Sequence, residues 1–213
     1  MDIPFSKLNS CAVMLLTENY DPHGKHMEYK DPQGVVCAKM ARVHKHGWLM
    51  GLISPGASIY AEMKDAQDNL LLTATTHYGD TRRETKVEIN RPNGTLFGIV
   101  YDAPFGADFE LPDGTVVGRA RRSKDLPADL LVVLYTYTDA SGQVVGTCDR
   151  RYSDESDRSD SIVDLLAGNW GRSSSPMQIV DLQVLVEPTL HTFLFLFPAM
   201  QNIRSQRSSY NEL

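Results

Sequence analysis

Short apolar runs recur along the chain, and clusters of Asp, Pro, Asn and Gly close them. Met27–Lys30 and Val35–Ala38 flank Asp31–Gly34, and Ile59–Lys64 and Leu70–Ala74 flank Asp65–Asn69. Lys86–Asn90 and Thr95–Gly98 flank Arg91–Gly94, and Ala107–Glu110 and Thr115–Gly118 flank Leu111–Gly114. Leu131–Tyr137 and Gln143–Gly146 flank Asp139–Gly142. Each unit reads as strand, tight turn, strand: Asp, Asn and Pro open such turns, and Gly supplies the positive φ that closes them. Five hairpins with no strong helix between them predict about ten strands in an antiparallel sandwich or barrel. Cys11–Leu16 reads as a further strand, followed by a turn at Asp21–Gly24.

The pattern changes near the end of the chain. Leu182, Val184 and Val186 alternate with their neighbours as in a half-buried strand, and Glu187-Pro188 breaks it. Pro suits the first position of a helix, where its missing N–H leaves no bond unmade. From Leu190 to Met200 the segment is apolar on every side, and such a helix is enclosed by protein or by lipid. From Pro188 to Ile203 it would be only ~24 Å long, short of the ~20 apolar residues a bilayer requires. The expectation is a helix wrapped by the upstream strands, with Leu190, Phe193, Leu194, Leu196 and Phe197 buried. The alternative is a core helix on one sheet face. Gly98, Gly118 and Gly146 each follow a turn Gly by four residues, as where another backbone approaches closely or a strand bends around the helix.

The chain has 213 residues and a formal charge of −6, which argues against nucleic acid as a partner. Its three cysteines, Cys11, Cys37 and Cys148, form no CxxC pair and fit a reducing compartment. The start, Met1–Lys7, has no signal-peptide layout, so a cytoplasmic setting is expected, with peripheral membrane attachment as a variant. Residues 1–10 read as a lead-in, 11–203 as one domain and 204–213 as a polar tail.

Several stretches carry a resemblance. Met27–Ala38, with Glu62–Thr73, resembles the LURP-one-related proteins, in which a strand and an Asp-Ala turn precede Leu-Leu-Thr. Val87–Val100 resembles a hairpin of the phospholipid scramblases, and the apolar C-terminal segment is similar to both. These families share the tubby C-terminal fold, so the resemblance implies a closed antiparallel barrel of about twelve strands enclosing a hydrophobic C-terminal helix. It covers about Cys11 to Gln201. There are departures: scramblases carry an acidic calcium-binding segment before the last strand, and here Gly168–Pro176 holds no carboxylate.

The resemblance implies a non-enzymatic, phospholipid- or membrane-associated module, scramblase-like or binding phosphoinositides. The alternative is a soluble interaction or regulatory scaffold with a protein partner. Lipid-binding candidates are the basic residues Arg82, Arg83 and Lys86, and Arg119, Arg121, Arg122 and Lys124; near an anionic membrane each contributes about 1 kcal/mol. Scattered solubilising charge is the competing reading. Asp154, Glu155, Asp157, Asp160 and Asp164 lack the spacing of a calcium loop and lie among arginines, so a solvated loop is expected. His44 with His46, and His23 with His26, lack further ligands, and His191 reads as a core residue. No GxSxG, P-loop, HExxH or GxGxxG is present, so no catalytic residue, metal or cofactor is expected.

Overall fold

The same turn, built five times, organises the molecule. Gly34, Asp68, Gly94, Gly114 and Gly142 all have positive φ, between 64° and 89°. In each turn that residue's N–H donates to the carbonyl three residues back, as from Gly34 to Asp31 at 2.9 Å and from Asp68 to Asp65 at 3.1 Å. The strand register shifts by one residue just before each turn, at Lys30, Lys64, Asn90, Glu110 and Thr138. This is a type I turn closed by a left-handed residue and a bulge, which matches the right-handed twist of the flanking strands. Where Gly is missing, Asp68 takes its place, and Asp tolerates that conformation better than most residues. Side-chain oxygens tie the turns further: Asp31 Oδ1 accepts from the N–H of Val35 at 2.8 Å, and Asp65 Oδ1 from that of Asn69 at 2.9 Å.

The computed structural model describes residues 12–21, 24–43, 58–79, 85–122, 135–151 and 177–205. The strands are β1 Val13–Asp21, β2 Gly24–Lys30, β3 Val36–Arg42, β4 Ile59–Asp65, β5 Leu70–His77 and β6 Lys86–Asn90. They continue as β7 Leu96–Ala103, β8 Gly106–Glu110, β9 Val116–Arg122, β10 Tyr135–Asp139, β11 Val144–Arg151 and β12 Met177–Leu182. Each pairs antiparallel with its sequence neighbours, and β12 pairs with β1, closing a barrel of twelve strands. The helix α1, Pro188–Ser205, follows.

The up-and-down order puts the five bulged turns at one end of the barrel, the turn rim. The opposite ends of the strands, with the turn between β7 and β8, form the loop rim. Inward positions are apolar, for example Ile59, Ala61 and Met63 on β4. Outward positions carry charge at mid-strand, such as Glu28, Lys39, Glu62 and Arg119. A barrel that spans lipid carries an apolar band on that face.

α1 lies in the lumen. Every residue from Leu190 to Met200 is buried, and the helix meets β3 and β9, which stand on opposite sides of the circuit. Leu190, Phe193, Leu194, Leu196 and Phe197 are each at most 4% exposed. The chain enters at the turn rim, where His191 N–H donates to Glu187 C=O at 2.9 Å and Thr192 Oγ1 to Pro188 C=O at 3.0 Å. Phe193 stacks on Phe109 with centroids 5.4 Å apart, and Phe197 meets Tyr135 edge-on at 5.0 Å. Such aromatic pairs add about 0.5–1.5 kcal/mol each beyond their buried area.

Two expectations from the sequence are corrected. β1 does not stop at Leu16 but runs to Asp21, because Thr17, Glu18 and Asn19 pair with Glu28, Met27 and His26 of β2. The alternating stretch to Val186 is strand only to Leu182, one residue past the last ladder partner in β1, although Gln183 N–H still donates to Val145 C=O at 2.9 Å. Leu185 beyond it is 99% exposed.

Candidate functional site

Four of the seven basic candidates lie in described strands, three of them toward the loop rim. Lys86 opens β6, Arg119 stands at the middle of β9, and Arg121 and Arg122 close it. Arg82, Arg83 and Lys124 lie outside the described residues. The ladder runs Lys86, Tyr101, Asp108, Arg119 across β6 to β9. Three strand spacings put Lys86 and Arg119 ~14 Å apart on one outer face.

Carboxylates on that face neutralise much of this charge. Lys86 Nζ sits 2.7 Å from Glu88, whose other oxygen is 3.2 Å from His77. The hydrogen bond from Lys86 holds Glu88 below its ordinary value and raises Lys86 in turn. Asp108 takes both Arg119, at 3.6 Å, and Arg121. Arg121 also donates to the carbonyls of Ala107 at 2.7 Å and Ala120 at 2.8 Å, which fixes its guanidinium against the wall. Arg122 is exposed and has no ion pair with any described residue.

The turn rim carries more carboxylates. Asp31, Asp65, Asp68, Asp113 and Asp139 sit in the turns, and Glu187 precedes the helix there. Among the described residues carboxylates thus gather at the turn rim, alongside Lys30, Lys64 and Arg91.

The sequence reading missed Phe105. It lies at the loop rim in the tight turn between β7 and β8, 66% exposed and with φ of 59°. Pro104 followed by a residue of positive φ is the pattern of a type II turn, where Gly or Asn is usual at the second position. A bulky residue there costs about 1–3 kcal/mol. The available signal was Ala103-Pro104-Phe105-Gly106 between two alternating runs. Gly106 cannot hold a side chain, because a Cβ would come 2.8 Å from the Ala120 carbonyl carbon.

His26 is buried, with Nε2 3.5 Å from Glu28, and His191 is buried beside the Phe195 ring, with centroids 4.3 Å apart. His23, His44, His46 and the acidic run Asp154–Asp164 lie outside the described residues. Among the described residues no group of three or more His, Cys, Asp or Glu could hold a metal ion. Among them, too, no helix is long and apolar enough to cross a membrane. No family model, no curated protein and no solved structure matches the chain.

Proposed function

We propose that this barrel is a non-enzymatic module that docks on anionic phospholipid with its loop rim foremost. The observation that supports it is the uneven distribution of charge along the axis among the described residues. Lys86, Arg121 and Arg122 stand toward one end with Arg119 at mid-strand, and the turn carboxylates, interspersed with Lys30, Lys64 and Arg91, stand at the other. A molecule with net charge −6 is on average repelled by an anionic surface, so docking requires its cations to face that surface. The twelve-strand barrel and its central helix also support the resemblance to the tubby C-terminal-like superfamily.

Co-sedimentation with phosphatidylserine vesicles, and with vesicles bearing phosphoinositides, tests the reading. Binding is expected to fall steeply with salt, as the Debye length shrinks from ~10 Å at ~0.1 M to ~3 Å at ~1 M. Arg122→Gln removes an exposed cation worth about 1 kcal/mol, roughly a fivefold loss in partitioning. Asp108→Asn releases Arg119 and Arg121 and strengthens binding. Partitioning indifferent to salt and to both substitutions excludes the reading.

A second reading rests on the turn rim, where Leu185 is 99%, Val35 59% and Val144 46% exposed. An apolar patch among carboxylates suits a protein partner, and the barrel is then an interaction scaffold. Absence of vesicle binding at every salt concentration, with photo-crosslinking to a partner from position 185, favours it.

A further inference from the structure

We infer that the turn between β7 and β8 is an interfacial anchor, in which Phe105 enters the boundary between lipid headgroups and acyl chains. The inference rests on the docking reading above and names its contact point. Phe105 is 66% exposed although it is a large aromatic, and its φ of 59° is a conformation such residues rarely hold. The turn is not free to relax. Arg122 N–H donates to the Phe105 carbonyl at 2.6 Å, and Gly106 pairs with Arg121. These contacts set Phe105 beside the backbone of Arg121 and Arg122; Arg121 is held against the wall by Asp108, and Arg122 is exposed. An exposed apolar ring next to a cation suits the membrane interface, where the ring leaves water and a guanidinium remains among phosphates. Among the described residues the other large exposed apolar side chains, Val35, Val144, Val184 and Leu185, sit at the turn rim, where carboxylates gather. The occupant that fits Phe105 is therefore an anionic bilayer.

Two variants test this on vesicles of phosphatidylserine in phosphatidylcholine. Phe105→Gly relieves the backbone conformation, so its melting temperature holds or rises, while its partitioning falls by about tenfold, the scale of one partly buried Phe. Phe105→Trp keeps parental partitioning. Its emission, read as the difference from the parent with its two tryptophans, moves to the blue on vesicles and is quenched by brominated lipid. If the parent binds in a salt-dependent way but Phe105→Gly binds equally well and Trp at 105 stays unquenched, the anchor is excluded and the docking reading stands. If the parent does not bind anionic vesicles at all, both are overturned.

Discussion

The ring of Phe193 lies where a side chain on Gly98 would have to go. A Cβ at position 98 would come 3.2 Å from Phe193 Cε1, closer still to Cζ, and 2.7 Å from the Glu110 carbonyl oxygen. One turn earlier in the helix Leu190 stands over Gly118 in the same way, with Cδ1 2.5 Å from a Cβ built there. The barrel wall is thinned on β7 and β9 where the helix passes. Gly146 is different: a Cβ there would meet Asp181 C=O at 2.5 Å, so its bareness serves the neighbouring strand.

Gly98→Ala is therefore expected to destabilise the fold by about 1–3 kcal/mol, the usual cost of overpacking a dense core. Adding Phe193→Leu should recover only part of this, because the Glu110 carbonyl remains in the way. Urea titration of the three proteins measures it; parental stability in Gly98→Ala would show that the helix does not press on the wall there.

Leu194 is fully buried in the lumen. Leu194→Asp puts an unpaired charge there, which costs far more than a domain's net stability of ~5–15 kcal/mol can absorb. Soluble expression should be lost. Phe193→Ala should fold but lose about 3–5 kcal/mol. A soluble Leu194→Asp protein with unchanged melting would contradict the enclosed helix.

Cys148 is 3% exposed beside Tyr137, and burial pushes its thiol up to about 12. The thiolate is the reactive form. With Cys11 and Cys37 replaced by Ser, alkylation at neutral pH should proceed only through unfolding and follow its denaturant dependence. Rapid labelling of the native protein would show that the lumen admits water.

Acid should weaken the fold through three kinds of contact. Glu88 is held low by hydrogen bonding to Lys86, Asp113 by the backbone N–H of Thr115, and Asp139 by the hydroxyl of Ser141. Glu28 is also low: burial raises it, but the hydrogen bond and charge of Lys30, with help from His26 and Lys39, outweigh that. A depressed carboxyl contributes stability that is full above its ordinary value and lost as pH falls through its folded value. The ordinary values are 4.5 for Glu and 3.8 for Asp, so the loss is expected below about pH 4.5. Melting temperatures from pH 7 to pH 2.5 measure this; in Glu88→Gln the slope should be shallower. An identical slope in that variant would remove Glu88 from the account.

The five bulged turns were legible because turn chemistry is local. Asp31, Asp65, Asn93, Asp113 and Asp139 each bond a backbone N–H within four residues, and a neighbouring Gly or Asp takes the positive φ. The helix was legible because Leu190–Met200 is apolar on every side, which only an enclosed element tolerates. Periodicity alone left sandwich and barrel both open. Closure depends on β1 meeting β12 across the length of the chain, in the register Met14 to Val180. The basic candidates show the same boundary. The sequence marks Arg119 and Arg121 as sharing a face, through the alternation of a strand. Only the tertiary structure puts Asp108 between them, leaves Arg122 exposed and brings Phe105 beside it, because those neighbours come from another strand of the ladder. Local chemistry determined the turns and the helix, and long-range pairing decided which charges were cancelled and which remained exposed.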